Sequence, residues 1–286
     1  KNDFIELLQA GSIHPADLES LKNKYHYDIC YNAILDRQES FKDFVREFSD
    51  PVNKIIFIQA EDGLGKTEFH QNLSERAEQF LTTSYAEFEK AVEKSLPGSP
   101  CFKLDVTLDD SIEAFALALK EQGIQLNGIL HAIAMDKTIR EKKVKPLLEV
   151  TREEFADTMD VSAFSLVRLT HFLIKHQVLA PAASICSLSY IAAEKVTFHP
   201  YRNISIAKAA LERITIELAD ELGKQNGTRV NALRFSPFVG SKAGNATLTE
   251  KDIEVSDGLS PLGNARPEDL AYEIAHLFRP NSRITG

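Results

Sequence analysis

The sequence predicts an α/β fold: a doubly wound parallel sheet with an N-terminal helical extension. Two observations support this. Residues 1–52 carry apolar side chains at helical spacing, whereas from residue 53 short apolar runs alternate with amphipathic segments of helical length. Strands that alternate with helices of this length need right-handed βαβ crossovers, which make the sheet parallel. We therefore expect a helical extension or linker at 1–52 and a main domain at 53–286.

The extension is predicted to be helical because apolar residues recur at helical spacing in Phe4–Leu8 and Leu18–Leu21. A helix-start signal lies at His14–Leu18, and the amphipathic segment Phe41–Phe48 ends before Pro51. In the main domain each predicted strand is a short run of mainly apolar residues, and each predicted helix is an amphipathic segment. In chain order we expect a strand at 54–59, a helix at 68–77, strands at 79–84 and 102–106, a helix at 111–122, a strand at 128–134, a long helix at 151–176, a strand at 183–188, a helix at 204–222, a strand at 229–234, a long loop, and a helix at 267–278.

The composition excludes several classes of protein. Of 286 residues, 43% are hydrophobic and 26% charged, as in soluble globular proteins with a sizeable core. The apolar runs are short and interrupted, and the first residues show no secretory signal, so neither a membrane span nor secretion is expected. The net charge of −9 argues against nucleic-acid binding. Cys30, Cys101 and Cys186 lie in apolar stretches without metal-ligand spacing, which favours buried thiols and a cytoplasmic location.

Two groups of polar side chains were weighed as ligand sites. Lys137–Lys145 holds five basic residues in nine, which indicates either a solvated loop or helix face or a docking patch for an anionic carrier or phosphate. His131, His171 and His199 are widely separated and lack metal-ligand spacing, so we expect structural histidines and no metal site.

Tyr201 and Lys208 form the most informative pair in the chain. Six residues separate them, so in a helix both side chains would leave the same face, about two turns apart. A phenol can donate a proton, and a nearby ammonium favours the phenolate. The spacing therefore predicts an acid–base pair.

Four motifs resemble the short-chain dehydrogenase/reductase superfamily, and within it most closely the enoyl-acyl-carrier-protein reductases. Gly128–Ala134 is similar to the family's fourth strand, and Met159–Leu166 to its fifth helix, where Asp-x-Ser replaces the Asn of classical members. Ser187–Tyr190 resembles the end of the fifth strand, with Tyr in place of the classical catalytic Ser. Tyr201 and Lys208 match the catalytic pair with its six intervening residues. The resemblance covers roughly residues 54–286.

This resemblance implies a Rossmann-type fold and an NADH- or NADPH-dependent reduction of an enoyl thioester carried by acyl carrier protein or CoA. Hydride would reach Cβ while Tyr201 stabilises the enolate that develops at the thioester oxygen. Lys208 would hold the nicotinamide ribose, and Tyr190 would shape the acyl pocket. The spacing between the two tyrosines is about one residue longer than usual for the reductases. Superfamily members usually pair through the helices matching 155–176 and 204–222, which implies a homo-dimer or tetramer.

The resemblance also implies further cofactor contacts. Asp105 and Val106 match a pair that flanks the adenine. Ala132 and Ile133 lie on the strand that runs along the cofactor, and Pro237 lies in a segment that contacts the nicotinamide amide. The residues after the second predicted strand include neither an acid for a ribose 2′-hydroxyl nor an Arg for a 2′-phosphate, so NADH and NADPH both stay open.

The turn after the first predicted strand departs from the superfamily pattern. Gly63 and Gly65 match the last two glycines of the turn that lets backbone approach a pyrophosphate, but Gln59 stands where the first belongs. Glu61 and Asp62 also place negative charge near the expected anion. Two interpretations stay open: a turn that binds cofactor, and a degenerate turn that binds none.

Three alternative functions follow from these residues. If the turn binds nothing, the domain is a non-catalytic scaffold or dimerisation unit of a larger protein; a chain that starts at Lys1 rather than Met fits a fragment or a processed product. A ketoreductase of the same superfamily is disfavoured because Tyr190 stands in place of the Ser. Ala60–Thr67 resembles a phosphate-binding loop, which is disfavoured because no later strand clearly ends in a magnesium-ligating Asp.

Overall fold

The computed structural model describes residues 90, 98–140, 143–198, 201–235, 248–280 and 282–286. The N-terminal extension, the strands predicted at 54–59 and 79–84 and the helix predicted at 68–77 lie outside these residues. The described elements are α1 (Asp109–Glu121), β1 (Leu126–His131), β2 (Ile139–Arg140), β3 (Lys143–Val144), a 3-10 turn (Leu147–Glu149), α2 (Arg152–Met159), a π-helical segment (Asp160–Phe164), α3 (Ser165–Lys175), β4 (Leu179–Ser189), a second 3-10 turn (Ile191–Ala193), α4 (Asn203–Asn226), β5 (Arg229–Arg234), α5 (Glu250–Leu259) and α6 (Pro267–Phe278).

A parallel sheet in the order β1-β4-β5 lies at the centre of the described residues. His131 of β1 pairs with Ser187 of β4, and Ser189 of β4 pairs with Arg234 of β5. The carboxyl ends of all three strands therefore meet at one edge, where ligands of open α/β sheets bind.

Helices cover both faces of this sheet. Successive side chains of a strand point to opposite faces, and on β4 the buried Ile185 belongs to the main core while Ser184 donates a hydrogen bond to Leu277 O of α6 at 2.9 Å. The main core combines side chains of α1, α3 and α4 with one face of the strands. The doubly wound α/β class predicted from the sequence is confirmed.

Local signals set the ends of the helices. α2 begins with a capping box: Glu154 N donates to Thr151 Oγ1 at 3.2 Å, and Thr151 N donates to Glu154 Oε2 at 2.9 Å. α4 ends at Gly227, whose φ of +77° lies in the left-handed region that suits a residue without Cβ.

Four predicted elements need correction. Residues 102–106 were expected to form a strand, but only Cys101 makes a bridge, and the backbone then turns so that Asp105 N donates to Ser111 Oγ at 2.9 Å. The helix expected at 151–176 is interrupted by the π-helical segment. The long loop expected after 234 contains α5, which a capping box of Thr249 and Asp252 begins. β1 ends at His131, three residues earlier than predicted.

Two short strands within the basic run 137–145, β2 and β3, pair antiparallel. Lys137 forms an ion pair with Asp157, and Lys145 pairs with Glu154 at 2.8 Å, both on α2. Carboxylates on a neighbouring helix thus engage two of the five basic side chains, and a docking role for this run stays a prediction.

Cys186 is a fully buried free thiol and Cys101 is partly buried; Cys30 lies outside the described residues. Burial raises the pKa of the Cys186 thiol to about 12. Among the described helices, none has the length and apolar character needed to cross a membrane.

Candidate active site

Lys208 lies on α4 at the carboxyl edge of the sheet, with 6% of its surface exposed. Its Nζ donates to Leu188 O at 2.8 Å and to Ile133 O at 3.2 Å. Leu188 lies near the end of β4 and Ile133 lies two residues beyond the end of β1, so the ammonium bridges the ends of two neighbouring strand segments. Burial lowers the pKa of Lys208 to about 8, although the negative charge of Glu212 opposes the shift.

Tyr201 and Tyr190 meet beside this lysine site. Their ring centroids lie 5.3 Å apart with the planes at 87°, an edge-to-face contact. The hydroxyls of Tyr190 and Ser205 share a hydrogen bond of 3.0 Å. Burial raises the pKa of Tyr190, and the charges of Tyr201 and Asp136 add to the effect. The longer spacing between the two tyrosines therefore does not keep their rings apart.

The expectation that Tyr201 and Lys208 share one helical face is wrong. α4 begins at Asn203, so Tyr201 lies in the turn that enters the helix. Arg202 takes φ +48° and ψ −103°, a conformation that L-residues rarely adopt and that breaks the helix at this point. Instead, β4 connects the two residues: Leu188 O accepts from Lys208, and Tyr190, two residues later, contacts the ring of Tyr201.

Asp136 holds the start of α4 in place. Its Oδ2 accepts a hydrogen bond from Ile204 N at 3.0 Å, and its Oδ1 accepts from Thr138 N at 2.8 Å and from Thr138 Oγ1 at 2.6 Å. A carboxylate at a helix N-terminus satisfies unpaired N–H groups and complements the helix dipole. Asp136 was not predicted from the sequence. The available signal was an Asp followed two residues later by Thr after a strand, a pattern typical of a side-chain-closed turn.

The π-helical segment and the start of α3 hold His131, at the end of β1, and Met135, four residues beyond it. Ser162 Oγ accepts from Met135 N at 2.9 Å and donates to Met135 O at 3.0 Å. Ser165 Oγ donates its one proton to Val161 O at 2.7 Å, so the 2.9 Å bond between Ser165 Oγ and His131 Nε2 is donated by the ring.

His131 is consequently neutral, with its proton on Nε2. Burial lowers its pKa to about 3, and the positive charge of Lys208 contributes. Its Nδ1 is buried with no hydrogen-bond partner among the described residues. Only one of the two ring nitrogens of His131 is thus engaged among the described residues, and a purely structural role for it stays a prediction. His171 is exposed against the ring of Phe172, and His199 lies outside the described residues.

Arg234 connects three elements at the same edge of the sheet. It donates to the carboxylate of Glu212 from Nε at 2.8 Å and from Nη2 at 2.6 Å, and it pairs with Glu194. Ser189 Oγ donates to Glu212 Oε1 at 2.6 Å. These bonds, Arg234 first among them, hold the pKa of Glu212 below its usual range. The charged network fixes the helix one turn beyond Lys208.

The other predicted contact residues that the structure describes are Asp105, Val106, Ile133 and Ala132. Asp105 closes a turn before α1 by accepting from Thr107 N at 2.9 Å, and Val106 is buried. The Ile133 side chain is buried while its carbonyl faces Lys208, and Ala132 is partly buried. The structure thus brings Tyr190, Tyr201, Lys208 and Ile133 together; Gly63, Gly65 and Pro237 lie outside the described residues.

A nicotinamide dinucleotide fits these residues. An ammonium has three N–H bonds, and two carbonyls use two of those of Lys208, which leaves one for a ribose hydroxyl. Ala132 is partly buried and Ala134 is exposed, and each carries only a methyl group.

Comparisons with known proteins agree with this geometry. A family model described as Enoyl-(Acyl carrier protein) reductase matches residues 61–286. The NADH enoyl-acyl-carrier-protein reductase FabI of Aquifex aeolicus is 31% identical over 226 residues, which cover 78% of this chain and 82% of that protein. FabI of Bacillus subtilis is 31% identical over 189 residues, or 65% of this chain and 70% of its own.

Solved structures show the same fold. The FabI–NADH complex of Alistipes finegoldii superposes with a TM-score of 0.72 at 23% identity, covering 93% of this chain and 85% of its own. FabI of Aquifex aeolicus gives a TM-score of 0.67 at 24% identity, and the superposition covers 88% of this chain and 89% of that structure. The chain belongs to the enoyl-acyl-carrier-protein reductase family of the short-chain dehydrogenase/reductase superfamily.

Proposed function

We propose that this chain is an NAD(P)H-dependent reductase of enoyl thioesters presented by acyl carrier protein or CoA. The observation that carries the proposal is the arrangement at the sheet edge, where the rings of Tyr190 and Tyr201 meet beside the buried ammonium of Lys208. Family membership agrees with this chemistry.

Tyr201 acts on the thioester oxygen. The bound nicotinamide would supply a hydride for Cβ of the substrate. As negative charge develops at the thioester oxygen, the Tyr201 hydroxyl donates to it, and a donor already in place stabilises the enolate more than water would. The positive charge of Lys208 favours transfer of the phenolic proton, because it stabilises the phenolate that remains.

Tyr190 has a different role in the proposed reaction. The acidity of its hydroxyl is suppressed, since burial raises its pKa, and the hydroxyl is engaged with Ser205. Tyr190 therefore serves as a wall of the acyl pocket that holds the ring of Tyr201. Lys208, Ile133 and Ala132 would contact the nicotinamide half of the cofactor, and Asp105 and Val106 the adenosine half.

The test is turnover of an enoyl-CoA and of an enoyl-acyl carrier protein, with NADH and with NADPH, by the wild type, Tyr201→Phe and Lys208→Ala. We expect each substitution to lower kcat by about 10²- to 10⁴-fold, the usual contribution of a positioned proton donor. Tyr272→Phe, on α6, is the matched control and should keep the wild-type rate. Unchanged rates in both site variants would refute the proposal.

We further propose a homo-dimer or tetramer that forms through α3 and α4. The exposed apolar side chains of Phe164, Ile206 and Ile216, beside and on these helices, support this arrangement. The molar mass from light scattering after size exclusion tests it: a value near 31.9 kDa would contradict it. The buried free thiol of Cys186 favours a cytoplasmic location for this activity.

A further inference from the structure

The carbonyl of Ile133 lies beyond the strand that should hold it. The pairing of β1 with β4 ends at His131, opposite Ser187, and residues 132–136 belong to no strand. Ile133 O nevertheless accepts a hydrogen bond from Lys208 at 3.2 Å. A carbonyl outside the hydrogen-bonded ladder of the sheet needs another restraint if it is to orient a buried ammonium.

The π-helical segment and the first residue of α3 supply that restraint on the two sides of Ile133. Two residues after it, Ser162 Oγ binds both the N–H and the C=O of Met135. Two residues before it, His131 donates to Ser165. Both serines are fully buried, so water does not compete for these bonds.

We propose that Ser162 is a positioning residue for Lys208, and that Ser165 assists it through its hydrogen bond with His131. Ser162 fixes the backbone of Met135, which fixes the Ile133 carbonyl, which in turn orients the ammonium at the edge of the sheet. The inference rests on the proposed function for its kinetic consequence, but the positioning itself is observable without substrate. It also gives the π-helical segment a role, in line with the frequent occurrence of such segments at functional sites.

The experiment compares Ser162→Ala with Ser184→Ala. Ser184 is an equally buried serine with one hydrogen bond to backbone, to Leu277 O at 2.9 Å, and it lies on β4 away from Lys208. Three quantities are measured on the full chain: hydrogen exchange of the Met135 amide, the NMR titration of the Lys208 side chain without ligand, and kcat.

Ser162→Ala should speed exchange at Met135, move the Lys208 titration to lower pH and lower kcat about three- to tenfold, the equivalent of one net hydrogen bond. Ser184→Ala should leave all three near wild-type values. A Ser162→Ala variant with fast exchange at Met135 but an unchanged Lys208 titration would overturn the proposal and leave Ser162 a purely structural role.

Two further outcomes are decisive. If Ser162→Ala does not fold, Ser165→Ala takes its place, and an unchanged Lys208 titration in that variant counts against the proposal. If the wild type turns over no enoyl thioester, the proposed function fails, but the Lys208 titration still decides whether Ser162 positions the ammonium.

Discussion

Lys208 carries a charge in a site that disfavours charge. Two carbonyls accept its N–H bonds, but no ion-pair partner lies within reach among the described residues, and burial lowers its pKa to about 8. The lysine is therefore close to losing its proton under mildly alkaline conditions. An ammonium poised in this way interacts strongly with a phenolate or a ribose hydroxyl, because little water screens it.

We expect Lys208 to make the stability of the protein depend on pH. The unfolded chain keeps this lysine protonated up to a pKa of about 10.5, whereas the folded chain releases the proton at about pH 8. Between these values the unfolded state binds more protons, so the free energy of unfolding rises with pH. The rise amounts to about 3 kcal/mol at most. Below pH 8 the folded protein bears the full cost of burying the charge, and above the pKa of the unfolded chain it bears none.

Urea unfolding of the wild type and Lys208→Met from pH 7 to 10.5 measures this effect. The difference in the free energy of unfolding between the two proteins isolates the lysine, because other groups titrate in both. A difference that stays constant across this range would show that Lys208 keeps its ordinary pKa in the folded protein.

The residues of the site differ in how well the sequence predicted them. Tyr190, Tyr201 and Lys208 stand in motifs, so their resemblance to a family identified them. The contacts that hold them do not stand in motifs: Asp136 Oδ2 accepts from a backbone N–H 68 residues away, and Ser162 binds a residue 27 positions away. No local spacing reveals such pairs, since the fold alone brings them together.

At the scale of the elements, the N-terminus of α4 is held by side chains from other parts of the chain. This N-terminus follows the strained turn at Arg202 and is held by Asp136 and by Asn203, whose Nδ2 donates to Thr158 Oγ1 at 2.9 Å. Because Tyr201 directly precedes this turn, the contacts that fix the start of the helix also fix the position of the proposed proton donor.

We expect Asp136→Ala to lower both stability and activity, and Asp136→Asn to do so less. The alanine removes the acceptor of the Ile204 N–H, which as an N-terminal cap contributes roughly 0.5–2 kcal/mol. Asparagine keeps an acceptor oxygen but loses the charge that complements the helix dipole. Thermal unfolding and kcat of the two variants measure this order.

The order of effects distinguishes the two roles of the carboxylate. Equal losses in Asp136→Asn and Asp136→Ala would show that charge matters more than the hydrogen bond. A wild-type kcat in Asp136→Ala would show that the start of α4 does not position Tyr201.

The regular elements were predictable where one pattern dominated. β5 matches its predicted range at 229–234, and α6 matches 267–278, because an apolar strand and an amphipathic helix with a proline in its first turn give clear signals. Residues 102–106 also looked like a strand, but Asp105 engages Thr107 and Ser111 instead. The π-helical segment was not predicted, since the residues on both sides of it have helical spacing.

At the scale of the whole molecule, the described residues place Lys208 and Ile133 together at the carboxyl edge of the sheet. This edge is where open α/β sheets bind their ligands, so a dinucleotide would lie across it. The turn with Gln59, Gly63 and Gly65 lies outside the described residues, so its share in binding stays a prediction from the sequence. Binding of the cofactor by the full chain is therefore the quantity that separates a reductase from a scaffold of the same fold.

We expect NADH or NADPH to stabilise the full chain against heat. A ligand that binds only the folded state at 100 times its dissociation constant adds about 2.7 kcal/mol, which for a chain of this size raises the unfolding midpoint by roughly 5 °C. Gln59→Gly, which restores the missing motif glycine, should bind more tightly and shift the midpoint further at equal ligand concentration. Lys208→Met should reduce the shift, because it removes the donor proposed to contact the ribose. If neither dinucleotide moves the midpoint of the wild type but both stabilise Gln59→Gly, the turn has lost its cofactor and the chain is a scaffold that keeps the catalytic residues without their use.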